Sequence, residues 1–76
     1  MIYYELFVGR GYDSAYGYYE AYGITASRSG EVIRTIEDIS PDITKINALV
    51  RLYNEEHLSL NQLDEAIEDF LYDFEV

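Results

Sequence analysis

The hydrophobic period of this chain changes once, at Ser40-Pro41-Asp42, and that change constrains its architecture more than any other feature. Before it, apolar residues recur at every second position, the spacing of strands. After it they recur every three or four, the spacing of helices. The tripeptide itself reads as a helix start. The Ser40 hydroxyl can accept from a free backbone N–H, and Pro41 suits the first helical position because it has no N–H to leave unpaired. Asp42 then faces the positive end of the helix dipole.

Three strands are expected ahead of this point. Ile2 to Val8 alternates, with Ile2, Tyr4, Leu6 and Val8 on one side and Tyr3, Glu5 and Phe7 on the other. Gly9-Arg10-Gly11 stops the run, and residues 9–17 read as a turn or loop, long for a tight hairpin. Tyr18 to Ala26 alternates again, with Gly23 marking a bulge or a close backbone approach. Ser27-Arg28-Ser29-Gly30 is a turn signal. Glu31 to Ile39 forms the third strand, whose mixed faces imply a slip or bulge near Ile36.

Two helices follow. Ile43, Ile46, Leu49, Val50 and Tyr53 make one apolar stripe, running to about Asn54 or Glu56. His57-Leu58 links to a Ser59-x-x-Gln62 capping box, which opens a second stripe of Leu60, Leu63, Ile67, Phe70, Leu71 and Phe74. The order βββαα predicts an α+β fold: a three-stranded antiparallel sheet with two C-terminal amphipathic helices packed on one face. One domain over 1–76 is expected, with a tyrosine-rich β-meander over 1–39 and a helical pair over 40–76.

At 76 residues the chain has one core, a stability of about 4–11 kcal/mol and little room for a deep pocket. Its 15 acids against 5 basic residues give a net charge of −10, which excludes direct nucleic-acid binding as the default. The charge is uneven: residues 1–54 hold seven acids and five basic residues, whereas residues 55–76 hold eight acids and neither Lys nor Arg. The absence of cysteine excludes disulfides, thiolate metal sites and thiol catalysis. No apolar run is long enough to span a bilayer, and Met1 to Glu5 has neither a basic region nor a small-residue cleavage site. A cytoplasmic protein without a membrane partner is expected.

Seven of the nine tyrosines lie in the first 22 residues, more aromatic surface than so small a core can bury. Tyr3, Tyr12, Tyr16, Tyr18 and Tyr19 are therefore the candidate contact residues, on the sheet face opposite the helices, for a protein partner of unknown identity or a second copy in a homodimer. The alternative is that they are ordinary strand residues with hydroxyls in water. Asp64, Glu65, Glu68, Asp69 and Asp73 form a candidate acidic surface. It either keeps the protein soluble, or meets a basic partner, or mimics DNA toward a nucleic-acid-binding protein.

No constellation points to catalysis. His57 is the sole histidine and lacks the converging ligands of a metal site. Gly9-Arg10-Gly11 would need a third glycine at position 14, which is Ser14, and a following helix to hold a dinucleotide. The acids of the last helix lack the spacing and central glycine of a calcium loop. No enzyme activity, no cofactor and no metal are expected.

Tyr22-Gly23-Ile24, Asp38-Ile39-Ser40, Leu49-Val50, Asn54-Glu55, Leu58-Ser59 and Ile67-Glu68-Asp69-Phe70-Leu71 lie within residues 22–71, about two-thirds of the chain. In these pieces the chain resembles a small domain-of-unknown-function family of anaerobic Gram-positive bacteria. The resemblance implies a bacterial cytoplasmic setting and no assigned activity, and it does not extend to the tyrosine-rich segment before residue 22.

Overall fold

The computed structural model describes the backbone of residues 1–75 and the side chains of residues 1–72. Three antiparallel strands in the order β1-β2-β3 precede two helices. β1 spans Ile2–Asp13, β2 Gly17–Arg28 and β3 Glu31–Ser40, while α1 spans Ile43–Glu55 and α2 Leu60–Glu75. This is the βββαα, α+β architecture that the change of period predicts.

The first two strands are longer than expected, and residues 9–17 are not a loop. β1 pairs with β2 without a shift from Ile2↔Arg28 to Asp13↔Gly17, leaving a connection of Ser14, Ala15 and Tyr16. Gly9 and Gly11 are seats for aromatic rings rather than breakers. A Cβ at Gly11 would lie 2.2 Å from Cζ of Tyr19, and one at Gly9 would lie 2.9 Å from Cε2 of Phe7. Each ring covers a bare strand backbone and restores the packing that glycine lacks. The turn beyond is held by Asp13, whose Oδ1 accepts from the N–H groups of Ala15 (2.7 Å) and Tyr16 (3.3 Å). Gly17, at φ +84°, closes it.

Between β2 and β3 lies a two-residue turn, Ser29-Gly30, with φ of +52° and +82°, the left-handed pair that a twisted hairpin favours. The expected irregularity near Ile36 is present. Tyr22 pairs with Ser40 but Ile24 with Ile36, so β3 uses four residues where β2 uses two. Asp38 bends there at φ +52°. A Cβ on Gly23 would sit 2.0 Å from the Ile36 carbonyl oxygen, so the bulge closes against glycine alone.

The helix start lies two residues later than the sequence suggested. Pro41 restricts the residue before it to extended backbone, so Ser40 stays in β3. Asp42 is the N-cap, its side chain accepting from the Thr44 N–H at 3.0 Å, while the Ser40 hydroxyl accepts from the Asp42 N–H at 3.1 Å. At the other end of α1, His57 takes φ +51°. Its N–H donates to the Asn54 carbonyl (3.3 Å) and that of Leu58 to the Tyr53 carbonyl (3.0 Å), a Schellman stop with histidine in the place of glycine. Ser59 and Gln62 are joined ahead of α2 as the capping box predicts, though the Ser59 hydroxyl donates to Gln62 Oε1 (3.1 Å) rather than capping a backbone N–H.

Both helices lie on the sheet face of Tyr4, Leu6, Ile24, Ala26 and Ile36, with Ile46, Tyr53, Leu63 and Ile67 completing the core. Tyr4 is fully buried. Its hydroxyl donates to the Leu58 carbonyl at 2.6 Å, and its ring meets that of Tyr53 edge-on at 5.8 Å. Asn54 extends from α1 to the outer edge of β1: its Oδ1 accepts from the Tyr4 N–H and its Nδ2 donates to the Tyr4 carbonyl, both at 2.8 Å. The side-chain amide thus occupies the place of a neighbouring strand. At the opposite edge, Arg34 of β3 pairs with Asp64 of α2.

Candidate functional site

Past Val8 and Tyr22 the β1–β2 hairpin runs beyond the pairing of β3, keeping a buried Ala21 and the Tyr19–Asp38 hydrogen bond as its ties to the rest of the molecule. β3 pairs with β2 only from Tyr22 to Arg28, so Gly9 to Asp13 and Gly17 to Ala21 form a two-stranded arm. Two-stranded ribbons are marginal on their own, and this one is fastened by side chains. Tyr12 and Tyr18 are directly opposed, their rings 5.1 Å apart and tilted by 54°. The Arg10 guanidinium lies 6.0 Å from the Tyr18 ring centre, opposite Glu20. The Tyr22 hydroxyl donates to Glu20 at 2.7 Å, which raises the pKa of the phenol.

The five candidate tyrosines do not share one face. Strand parity places Tyr12 and Tyr18 on the helix side of the sheet, the side of Tyr4, but beyond the reach of the helices. Tyr3 and Tyr19 are on the opposite face and far apart along it, opposite Ser27 and Gly11 respectively. Tyr16 is at the tip, 88% exposed. The open face is therefore not a tyrosine sheet. Its centre is Phe7 and Tyr19 over glycines, with the Tyr19 hydroxyl 3.3 Å from the Asp38 carboxylate, whose charge raises the phenol's pKa. The concentration of exposed aromatics is instead the arm, where Val8 (58%), Tyr12 (65%) and Tyr18 (74%) join Tyr16.

Val8 and Arg10 belong to this surface and escaped the sequence reading, since a strand ending at Val8 gives them no common context. The signal that could have found them is the parity of Val8, Arg10 and Tyr12, read through the glycines.

On α2, Asp64, Glu65, Glu68 and Asp69 are exposed, and Asp64 is engaged by Arg34. The side chain of Asp73 lies outside the described residues. Among the described residues no group of acidic or histidine side chains converges as metal ligands, and no helix is long and apolar enough to cross a membrane. Tyr53 carries a buried hydroxyl without a hydrogen-bond partner among the described residues, and burial pushes its pKa up to about 12. Comparison with protein-family models, curated proteins and solved structures finds no match to this chain.

Proposed function

We propose that this chain is a non-enzymatic protein-contact module of the bacterial cytoplasm, with the β1–β2 arm as its contact surface. One observation carries the reading. Val8, Tyr12, Tyr16 and Tyr18 are exposed on a projecting ribbon that no other described part of the chain covers. Tyrosine on a stiff ribbon offers a large contact area with a polar tip and little entropy to lose, the composition of interface cores. A second copy of the chain is the simplest partner, because so small a core gains proportionally from added buried area.

A second reading places the contact on α2, as an acidic mimic of DNA toward a basic protein. It is favoured by Glu65, Glu68 and Asp69, exposed on one helix face and outside the Arg34 ion pair. The two readings separate by experiment. Sedimentation velocity on the full chain should show concentration-dependent self-association that Tyr12→Ser/Tyr18→Ser weakens and that amide replacement of Glu65, Glu68 and Asp69 leaves in place. A strict monomer at about 100 μM contradicts the homodimer. Association insensitive to the tyrosine pair removes the aromatic arm from the interface.

A further inference from the structure

The bonds from Asn54 reveal which β1 residues face outward. Both the N–H and the C=O of Tyr4 point away from β2, toward Asn54. Pairing with β2 is unbroken to Asp13, so alternate residues share this orientation: Leu6, Val8, Arg10 and Tyr12 also turn their backbone groups to the outer edge. Asn54 closes the edge at Tyr4. Beyond it, no described element pairs with those four residues. An open strand edge of this kind is a template for another strand.

Resting on the arm as the contact surface, we propose that the occupant is β1 of a second copy, joined antiparallel about a two-fold axis at Gly9 into a continuous six-stranded sheet. Outward-facing residues must meet outward-facing residues, which restricts the registers. An axis at Val8 sets Tyr4, whose edge is already filled by Asn54, against the partner's Tyr12. An axis at Arg10 sets two guanidinium groups directly opposite each other, a destabilising like-charge pair. An axis at Gly9 pairs Leu6 with the partner's Tyr12 and Val8 with the partner's Arg10, and its one like-charge contact, Glu5 across from the partner's Asp13, falls at the two ends of the join, where the N–H groups of Ala15 and Tyr16 already hold the Asp13 carboxylate. It uses all four edge residues beyond Asn54, for about eight inter-chain backbone hydrogen bonds. In this register the strand turns away at Ser14, just where it would meet the partner's Tyr4 and Asn54. The amide plug then defines where the pairing stops.

Most of the net −10 stays away from this join. The acidic helix is tied by Asp64 to Arg34 on β3, the strand farthest from the shared edge. In the six-stranded sheet the two β3 strands stand five strand spacings apart, about 24 Å. That is roughly three Debye lengths at physiological salt, so the two α2 surfaces barely sense each other.

Sedimentation velocity on the full chain, with circular dichroism as a control for folding, tests the pairing. Arg10→Pro removes an N–H that faces outward and takes no ladder bond from the hairpin itself. It should leave the fold intact and raise the dimer Kd about a hundredfold. Val8→Lys and Val8→Glu test the register: next to the partner's Arg10, lysine should weaken the dimer about tenfold and glutamate should preserve it. If Arg10→Pro unfolds the chain, the Val8 pair decides alone. A dimer indifferent to Arg10→Pro, or to the sign of charge at Val8, overturns edge pairing while leaving the arm as a contact surface. A dimer lost with Arg10→Pro but untouched by Tyr12→Ser/Tyr18→Ser supports edge pairing and overturns the aromatic reading. A strict monomer overturns both.

Discussion

Removing the Asn54 side chain should cost this protein a large share of its stability. Asn54→Ala deletes two hydrogen bonds of 2.8 Å to one residue, Tyr4, which is fully buried. Each bond contributes about 1 kcal/mol net, and leaving a poorly hydrated N–H or C=O behind costs about 1–3 kcal/mol. Water entering at the edge recovers part of that, so the expected loss is about 2–3 kcal/mol. Against the 4–11 kcal/mol expected for a chain of this size, the urea midpoint should fall by about a fifth to three quarters. Asn54→Asp is sharper still. The carboxylate can accept from the Tyr4 N–H, but its second oxygen faces the Tyr4 carbonyl, and only a protonated acid can donate there. Its native pKa is therefore raised above the unfolded value of about 3.9. Stability relative to the parent protein should be nearly restored below that pH and lost as pH rises through the raised native value. Paired urea titrations of both proteins at pH 3.5 and 7 measure the difference. A deficit under about 0.5 kcal/mol for Asn54→Ala, or one for Asn54→Asp that is the same at both pH values, refutes the edge-capping account.

Tyr53→Phe should be neutral or stabilising by up to about 1–2 kcal/mol at pH 7, since it removes a buried hydroxyl without a described partner; a clear loss in urea denaturation would reveal an acceptor. Because the Tyr53 pKa is raised from 10.0 to about 12, its contribution is complete below pH 10 and lost as pH climbs through 12, and Tyr53→Phe should blunt alkaline unfolding over that window. His57→Gly should raise stability by about 0.5–1 kcal/mol by relieving a left-handed residue at φ +51°, checked by thermal melting. Asp42→Ala should cost about 0.5–2 kcal/mol, with the loss read as helix content and melting temperature. Added salt should raise the melting temperature by screening repulsion between the carboxylates of α2, and a falling response would mean that ion pairs such as Arg34–Asp64 dominate.

Element type and order were legible because a period of two and a period near 3.6 cannot be mistaken over runs this long. Gly23 was also legible, since a glycine inside an alternating run has few other uses. Gly9 and Gly11 differ from the expectation because a turn glycine and a ring-seating glycine look alike until the ring that covers each is placed, Phe7 of the same strand for Gly9 and a cross-strand ring for Gly11. For Gly11 that ring is Tyr19, eight residues away and fixed only by register. Ser40 was given a cap that Asp42 holds, because the strand preference imposed by Pro41 outweighs the hydroxyl's suitability. Asn54 had no local signal at all. An amide in the last turn of a helix suits a C-cap, and its partner, Tyr4, is fifty residues distant.

The bare arm follows from a mismatch of lengths. β1 and β2 have 12 residues each, about 40 Å of strand, whereas α1 with 13 residues is about 20 Å long and α2 with 16 about 24 Å. Helices of that size cover about half the hairpin. Tyr4 and Tyr12 share a strand, a face and a residue type; Tyr4 is buried and Tyr12 is 65% exposed because only Tyr4 lies within that length. Shortening the hairpin at Val8 and Tyr22 would leave the core cluster under the helices in place and remove Ala21 alone of the buried apolar residues. Folding therefore accounts for Ala21 and, through its bond to Asp38, for Tyr19, but not for the exposed residues of the arm. Their order depends on local devices, the Asp13 turn and the Tyr12–Tyr18 pair with Arg10 beside it, until something covers them. A ribbon held in shape at a cost in exposed aromatic surface is what a preformed contact requires, because binding then has little further ordering to impose.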